Sequence, residues 1–182
     1  MNRLASPAQL RASLLRWALF IVPAVMLLGF LSGQLGGADT PWFAALEKPA
    51  IFPPPATFGI VWSILYFMMG LAMAMVCAAW GSPARGWAIL AFVVQFALNL
   101  AWSPVFFAQH QIETALWILV ALDVALLVTV VLFFKVRRWA GILLLPYLAW
   151  VLFATVLNWQ FLELNPDADQ IEESGAIPRI EL

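Results

Sequence analysis

Gln95, Asn99, Trp102 and Phe106 are separated by four, three and four residues in the run "QFALNLAWSPVFF". On a helix they stack along one face. The neighbouring residues are apolar, and an amide turned toward hydrocarbon is unfavourable, so this face is expected to look into a helix bundle. Pro104 has no N–H for the carbonyl of residue 100, which predicts a kink and space beside Trp102. A second stripe matches the first: Tyr147, Ala154 and Asn158 share a face, Trp150 and Leu157 flank it, and Pro146 repeats the proline. Two inward faces carrying indoles and amides allow two readings. One is a dry bundle tied by interhelical hydrogen bonds. The other is a cavity for a flat, mostly apolar ligand, stacked on aromatic walls and oriented by a few amides.

Asp123 is the one ionisable residue in the middle of an apolar run. A lone carboxylate at that depth costs about 2.5–3.5 kcal/mol on insertion scales, so it must pair, face a wet cavity or hold a proton. No basic residue lies at the same depth. Catalytic groupings are missing from the sequence. His110 is the single histidine and Cys77 the single cysteine, no His/Cys/carboxylate set has metal-ligand spacing, and no glycine-rich loop is placed to hold phosphate. No catalytic residue and no metal site is expected. Nucleic acid is not an expected partner, because the few basic residues are used in orienting the chain.

These side chains need long apolar elements to position them. The 182 residues are 64% hydrophobic and only 10% charged, with a mean hydropathy of +0.93, against roughly 45–50% and 25% in soluble domains. The chain therefore reads as an integral membrane protein. Five segments can cross a hydrocarbon core of about 30 Å: Trp17 to Leu35, Phe58 to Trp80, Gly86 to Ala108, Thr114 to Phe134 and Trp139 to Leu162. The breaks "GSPAR", "QHQIE" and "KVRR" are short, which makes the last four segments antiparallel neighbours in an all-α bundle. Continuous apolar runs without period-2 alternation exclude a β-barrel. Gly70, Ala74 and Ala78, at four-residue spacing, permit close helix approach within the bundle or across a homodimer contact.

Charge sets the orientation. Arg3, Arg11, Arg16, Arg85, Lys135, Arg137 and Arg138 fall on one side and Lys48 and Arg179 on the other, a division of 7 to 2. The positive-inside rule then predicts a cytoplasmic amino terminus. The first apolar run exceeds the roughly 7–15 residues of a signal-peptide core, which favours a retained helix over cleavage after Ala38. Three regions result: an arm over residues 1–16, a membrane domain over 17–164, and an acidic tail over 165–182 with no apolar stripe, expected to be disordered.

Four ordered stretches, "WFAALEKPAIFPPP", "VWSILYFMMG", "LNLAWSPVFF" and "PYLAWVLFATVLN", resemble the signature runs of the translocator proteins. That family is also known as tryptophan-rich sensory proteins, TspO/MBR proteins or peripheral benzodiazepine receptor homologues. The resemblance covers residues 17 to 162, and ten Trp agree with it. It implies a five-helix bundle that binds porphyrins and other flat apolar ligands beneath the long loop after the first helix. Carried over by position, the ligand-binding candidates are Trp42, Lys48, Pro49, Pro53, Pro54, Asn99, Trp102, Phe106, Trp150, Ala154, Leu157 and Asn158. No cofactor is required; porphyrin or heme enters as ligand, and membrane lipid is the other partner.

The chain departs from the family pattern in three places. Ile51 and Ala56 stand where the family usually has Trp, and Glu163 follows Trp159 and Phe161 where sterol-binding relatives carry a base. Sterol is therefore a doubtful ligand, and such motifs are weak evidence even when intact. The function expected is ligand binding in transport, sensing or stress regulation in a bacterial cell envelope, rather than enzymatic turnover. Two alternatives are light- and oxygen-dependent porphyrin breakdown by Trp chemistry, and proton-coupled transport through Asp123.

Overall fold

A computed structural model describes residues 7–35 and 37–170. Five long helices, α1 (Pro7–Leu35), α3 (Pro55–Cys77), α4 (Arg85–Ser103), α5 (Ile112–Val136) and α6 (Arg138–Leu164), surround a common core, and the short α2 (Pro41–Ala45) sits in the loop after α1. No strand is present among the described residues. Each long helix is apolar and long enough to span a membrane. The 25 residues of α5 extend about 38 Å at 1.5 Å per residue, more than the hydrocarbon thickness of about 30 Å. In lipid every backbone polar group needs an internal partner, and a continuous helix supplies one. Leu19, Val124 and Trp139 are largely exposed, as suits side chains facing acyl chains. The chain is a multi-pass integral membrane protein.

Helix boundaries differ from the sequence expectation chiefly in α1. Its described part runs from Pro7 rather than Trp17, so residues 7–16 of the expected arm are helical. Arg11 and Arg16 lie exposed on the added turns. α1 is an integral part of the bundle. A Cβ on Gly70 of α3 would come within 2.8 Å of the Val22 backbone in α1, and one on Gly29 would run into the Tyr66 ring. Gly70, Ala74 and Ala78 are all buried, so the small-residue spacing of α3 serves packing inside the bundle.

The core has two parts. The larger lies between α3, α4, α5 and α6 around Met69, Phe92, Leu122, Leu126, Phe133, Leu144 and Tyr147. The smaller joins α2 to the carboxyl end of α6 through Trp42, Phe43, Phe106, Leu157 and Phe161. Between α3 and α4 the chain turns at Gly81, whose φ of +90° suits a residue without a Cβ. There the Arg85 guanidinium stacks over Trp80 at 4.2 Å and donates to the Cys77 carbonyl at 3.1 Å.

Arg11, Arg16, Arg85, Lys135, Arg137 and Arg138 gather at the end of the bundle away from α2. This charge division carries a topological prediction. On a Cys77→Ser background, Ala45→Cys and Asp167→Cys should react with an impermeant thiol reagent added to intact cells, and Pro83→Cys should not. The reverse pattern would invert the orientation.

A candidate ligand cavity under an aromatic lid

Pro104 shapes the site. It leaves the Leu100 carbonyl without its helical donor, and the Ser32 hydroxyl of α1 takes that carbonyl at 2.6 Å. The chain then continues as a π-helical turn over Pro104–Ala108, which re-aims Phe106 and Phe107 toward the bundle axis. Such turns recur at functional sites. One turn earlier, the Tyr66 hydroxyl donates to Asn99 Oδ1 at 3.2 Å. The Trp102 indole N–H donates to Asn158 Oδ1 at 3.0 Å, and Asn158 Nδ2 donates to the Ile112 carbonyl at 3.0 Å. Asn158 thus ties α4 and the start of α5 to α6, and it fixes the plane of Trp102.

These groups wall a cavity of about 360 Å³, reached by α1, α3, α4, α5 and α6 and roofed by Phe43 and Phe52 of the loop. The walls are mostly aromatic. Trp62 stacks on Tyr66 at 5.1 Å, Phe58 meets Trp150 edge-on at 5.8 Å, and Trp102 tilts against Phe106 at 5.5 Å. The wall is open where Gly33 and Gly59 stand: both are exposed, and a Cβ on either would meet nothing within 4 Å. Gln34, Ala38 and Asp39 rim this mouth.

The roof is held from outside. The Thr40 hydroxyl accepts the Phe43 N–H at 3.2 Å and caps α2. Lys48 donates to the carbonyls of Phe43, Ala44 and Leu46, and partial burial holds its ammonium below the usual lysine pKa. Trp42 stacks on His110 with ring centroids 4.3 Å apart. Residues 165–170, expected as the start of a disordered tail, fold back as a strap instead. The Glu47 N–H donates to Asn165 Oδ1 at 2.8 Å, Asn165 Nδ2 returns to the Glu47 carbonyl at 3.0 Å, and the Asp169 carboxylate accepts the N–H groups of Ile112 and Glu113 at the start of α5. Backbone and helix-end donors give this polar segment the partners that an apolar stripe would have given otherwise. The rest of the tail, residues 171–182, lies outside the described residues.

Residues 15–164 contain every wall of the cavity, and over that span the sequence matches the TspO/MBR family. The chain belongs to the TspO/MBR family. Among curated TspO/MBR proteins it is similar to a tryptophan-rich sensory protein of Cereibacter sphaeroides, 38% identical over 68% of this chain and 77% of the relative. It is 37% identical to a tryptophan-rich protein TspO of Chlorobaculum tepidum, over 74% and 89% of the two chains. It is also 37% identical to the human translocator protein, over 68% and 74%.

Of the positions carried over from the TspO/MBR resemblance, Asn99, Trp102, Phe106, Trp150, Ala154, Leu157 and Asn158 stand together on the cavity wall. Trp42, Lys48, Pro49, Pro53 and Pro54 do not. Trp42 and Pro49 are buried within the lid, Lys48 caps its carbonyls, Pro53 is half-buried and Pro54 is exposed where α3 begins. Several wall residues were missed: Gly29, Phe30 and Ser32 of α1, Phe43 and Phe52 of the lid, and Trp62 and Tyr66 of α3. A signal for the last two existed, because Phe58, Trp62 and Tyr66 follow one another at four-residue spacing. Ala56 is exposed and off the wall, and Phe52 and Phe58, 5.5 Å apart, fill the space toward Trp150.

Two polar groups lie apart from the wall. Asp123 sits in the seam between α5 and α6, where the Thr155 hydroxyl meets its Oδ2 at 2.8 Å. Gln95 accepts the Tyr147 hydroxyl at 3.0 Å. Asp123 Oδ1 and Gln95 Nε2 are buried without a partner among the described residues.

Proposed function

We propose that the chain binds flat, predominantly apolar molecules, porphyrins and related tetrapyrroles among them, in the lidded cavity, and that binding serves a sensory or transport role in the membrane. The observation that carries this reading is the cavity itself. Its volume of about 360 Å³ lies in the lower part of the roughly 300–1,000 Å³ range of ligand pockets, and its composition, aromatic walls with a few oriented polar groups, is that of such pockets. A tetrapyrrole macrocycle exceeds this volume, so its edge would emerge at the mouth between Gly33 and Gly59. Membership of the TspO/MBR family and the names of the relatives, sensory and translocator, support the same reading.

Titration of the purified protein in nanodiscs with protoporphyrin dimethyl ester, heme and cholesterol, followed by Trp fluorescence, tests it. The two tetrapyrroles should give saturable quenching with one site per chain. Cholesterol should bind far more weakly, since Phe161, within the run that aligns with the sterol motif, is buried in the lid cluster. Quenching that rises without saturation would count against a defined site.

A further inference from the structure

At the end of the bundle away from the lid, and independently of any ligand in the cavity, we infer that the turn between α5 and α6 binds the headgroup of an anionic phospholipid. A single extended residue, Arg137 (φ −151°, ψ 123°), joins the two helices. Lys135, Arg137 and Arg138 therefore crowd one turn, Lys135 and Arg138 exposed and Arg137 half-buried. Phe92 stacks on Phe133 at 5.9 Å, which holds the start of α4, with Arg85, beside the end of α5. Other cations are already engaged by the protein: Lys48 by three carbonyls, and Arg85 by the Cys77 carbonyl and the Trp80 ring. The side chains of Lys135, Arg137 and Arg138 have no such partner among the described residues.

No described carboxylate balances these charges. Asp39, Glu47, Glu113, Glu163, Asp167 and Asp169 all lie at the lid end, and Asp123 is within the span. Like charges on one turn repel, and an anion set among them relieves that repulsion. Depth selects the kind of anion. Trp80, Trp87 and Trp139 are largely exposed at this same end, and exposed indoles settle at the headgroup level of a bilayer. The cations beside them then lie in the plane of the lipid phosphates, where basic clusters flanking membrane helices attract anionic lipid. The two guanidiniums add geometry, since their planar forks match phosphate oxygens in pairs. A phosphatidylcholine headgroup carries its own ammonium into the cluster, whereas phosphatidylglycerol brings the phosphate alone.

The full-length protein, stripped of lipid in dodecyl maltoside at low salt, is titrated with dioleoyl phosphatidylglycerol or dioleoyl phosphatidylcholine, and bound lipids are counted by native mass spectrometry. The first phosphatidylglycerol should bind about tenfold more tightly than the first phosphatidylcholine, and it alone should raise the thermal midpoint. Arg137→Gln, Arg138→Gln should remove most of that preference, and the charge-preserving Arg137→Lys, Arg138→Lys should retain it. Arg11→Gln, Arg16→Gln removes the same charge from α1 at the same end and should leave the preference nearly intact. Equal binding of the two lipids overturns the inference. An equal loss in the α1 variant and the turn variant also overturns it, because the attraction would then belong to the whole end and not to the turn. Glycerol 3-phosphate should leave the midpoint unmoved; a rise as large as that given by the lipid would mark a site for soluble anions and contradict the assignment to lipid.

Discussion

Replacing Asn158 by leucine is expected to weaken binding of protoporphyrin dimethyl ester by more than tenfold and to lower the thermal stability of the protein in detergent. The side chain bonds two partners at once, the Trp102 indole at 3.0 Å and the Ile112 carbonyl at 3.0 Å. Leucine satisfies neither, and a buried group left without a partner costs about 1–3 kcal/mol. The loss of affinity follows from the freed Trp102, which no longer presents a fixed face to the ligand; a tenfold change corresponds to about 1.4 kcal/mol. Trp102→Phe keeps a ring and removes the N–H, so a double-mutant cycle with Asn158→Leu separates the hydrogen bond from the stacking. Additive effects of the two substitutions would show that the pair is not coupled.

The double variant Asn165→Ala, Asp169→Ala is expected to loosen the lid. Asn165 holds the Glu47 backbone in both directions, and Asp169 caps the first turn of α5, an interaction of about 0.5–2 kcal/mol by analogy with helix caps. Backbone amides of residues 42–47 should exchange hydrogen about tenfold faster, and bound porphyrin ester should dissociate faster by a similar factor. Amides around Leu126, deep in the core, should keep their protection, which distinguishes a released lid from general destabilisation. Equal acceleration in both regions would contradict a role confined to the lid.

The parts of this site that were legible in the sequence lie on single helices. Helical spacing places Asn99, Trp102 and Phe106 on one face and Ala154 and Asn158 on another, because a period of about 3.6 residues operates without knowledge of the neighbours. The same spacing sets Trp150 and Leu157 beside the second face, and the resemblance added the loop above them. Ser32 was not legible in the same way. Its role depends on α1 crossing α4 where Pro104 leaves the Leu100 carbonyl free, and only the packed bundle brings the two together. In the loop, the positions implied by the resemblance are Trp42, Lys48 and the prolines. Phe43 and Phe52 face the cavity instead; Phe43 does so from α2, a single turn capped at Thr40. Residues 165–170 carry no apolar periodicity, and their order comes from side-chain bonds to distant backbone groups. Such bonds leave no local pattern. Asp123 was visible as an anomaly, but its partner Thr155 lies on another helix, at no fixed spacing from it.

The most direct test of the cavity is to fill it. Ala154 lies half-buried on its wall, and Ala154→Trp would place an indole in the space assigned to the ligand. Binding of protoporphyrin dimethyl ester to this variant in nanodiscs should fall by at least a hundredfold, while Trp80→Leu, at an exposed position on the opposite end of the bundle, should bind as the wild type does. Circular dichroism should show both variants folded. Wild-type affinity in a folded Ala154→Trp protein would place the ligand elsewhere and contradict the account.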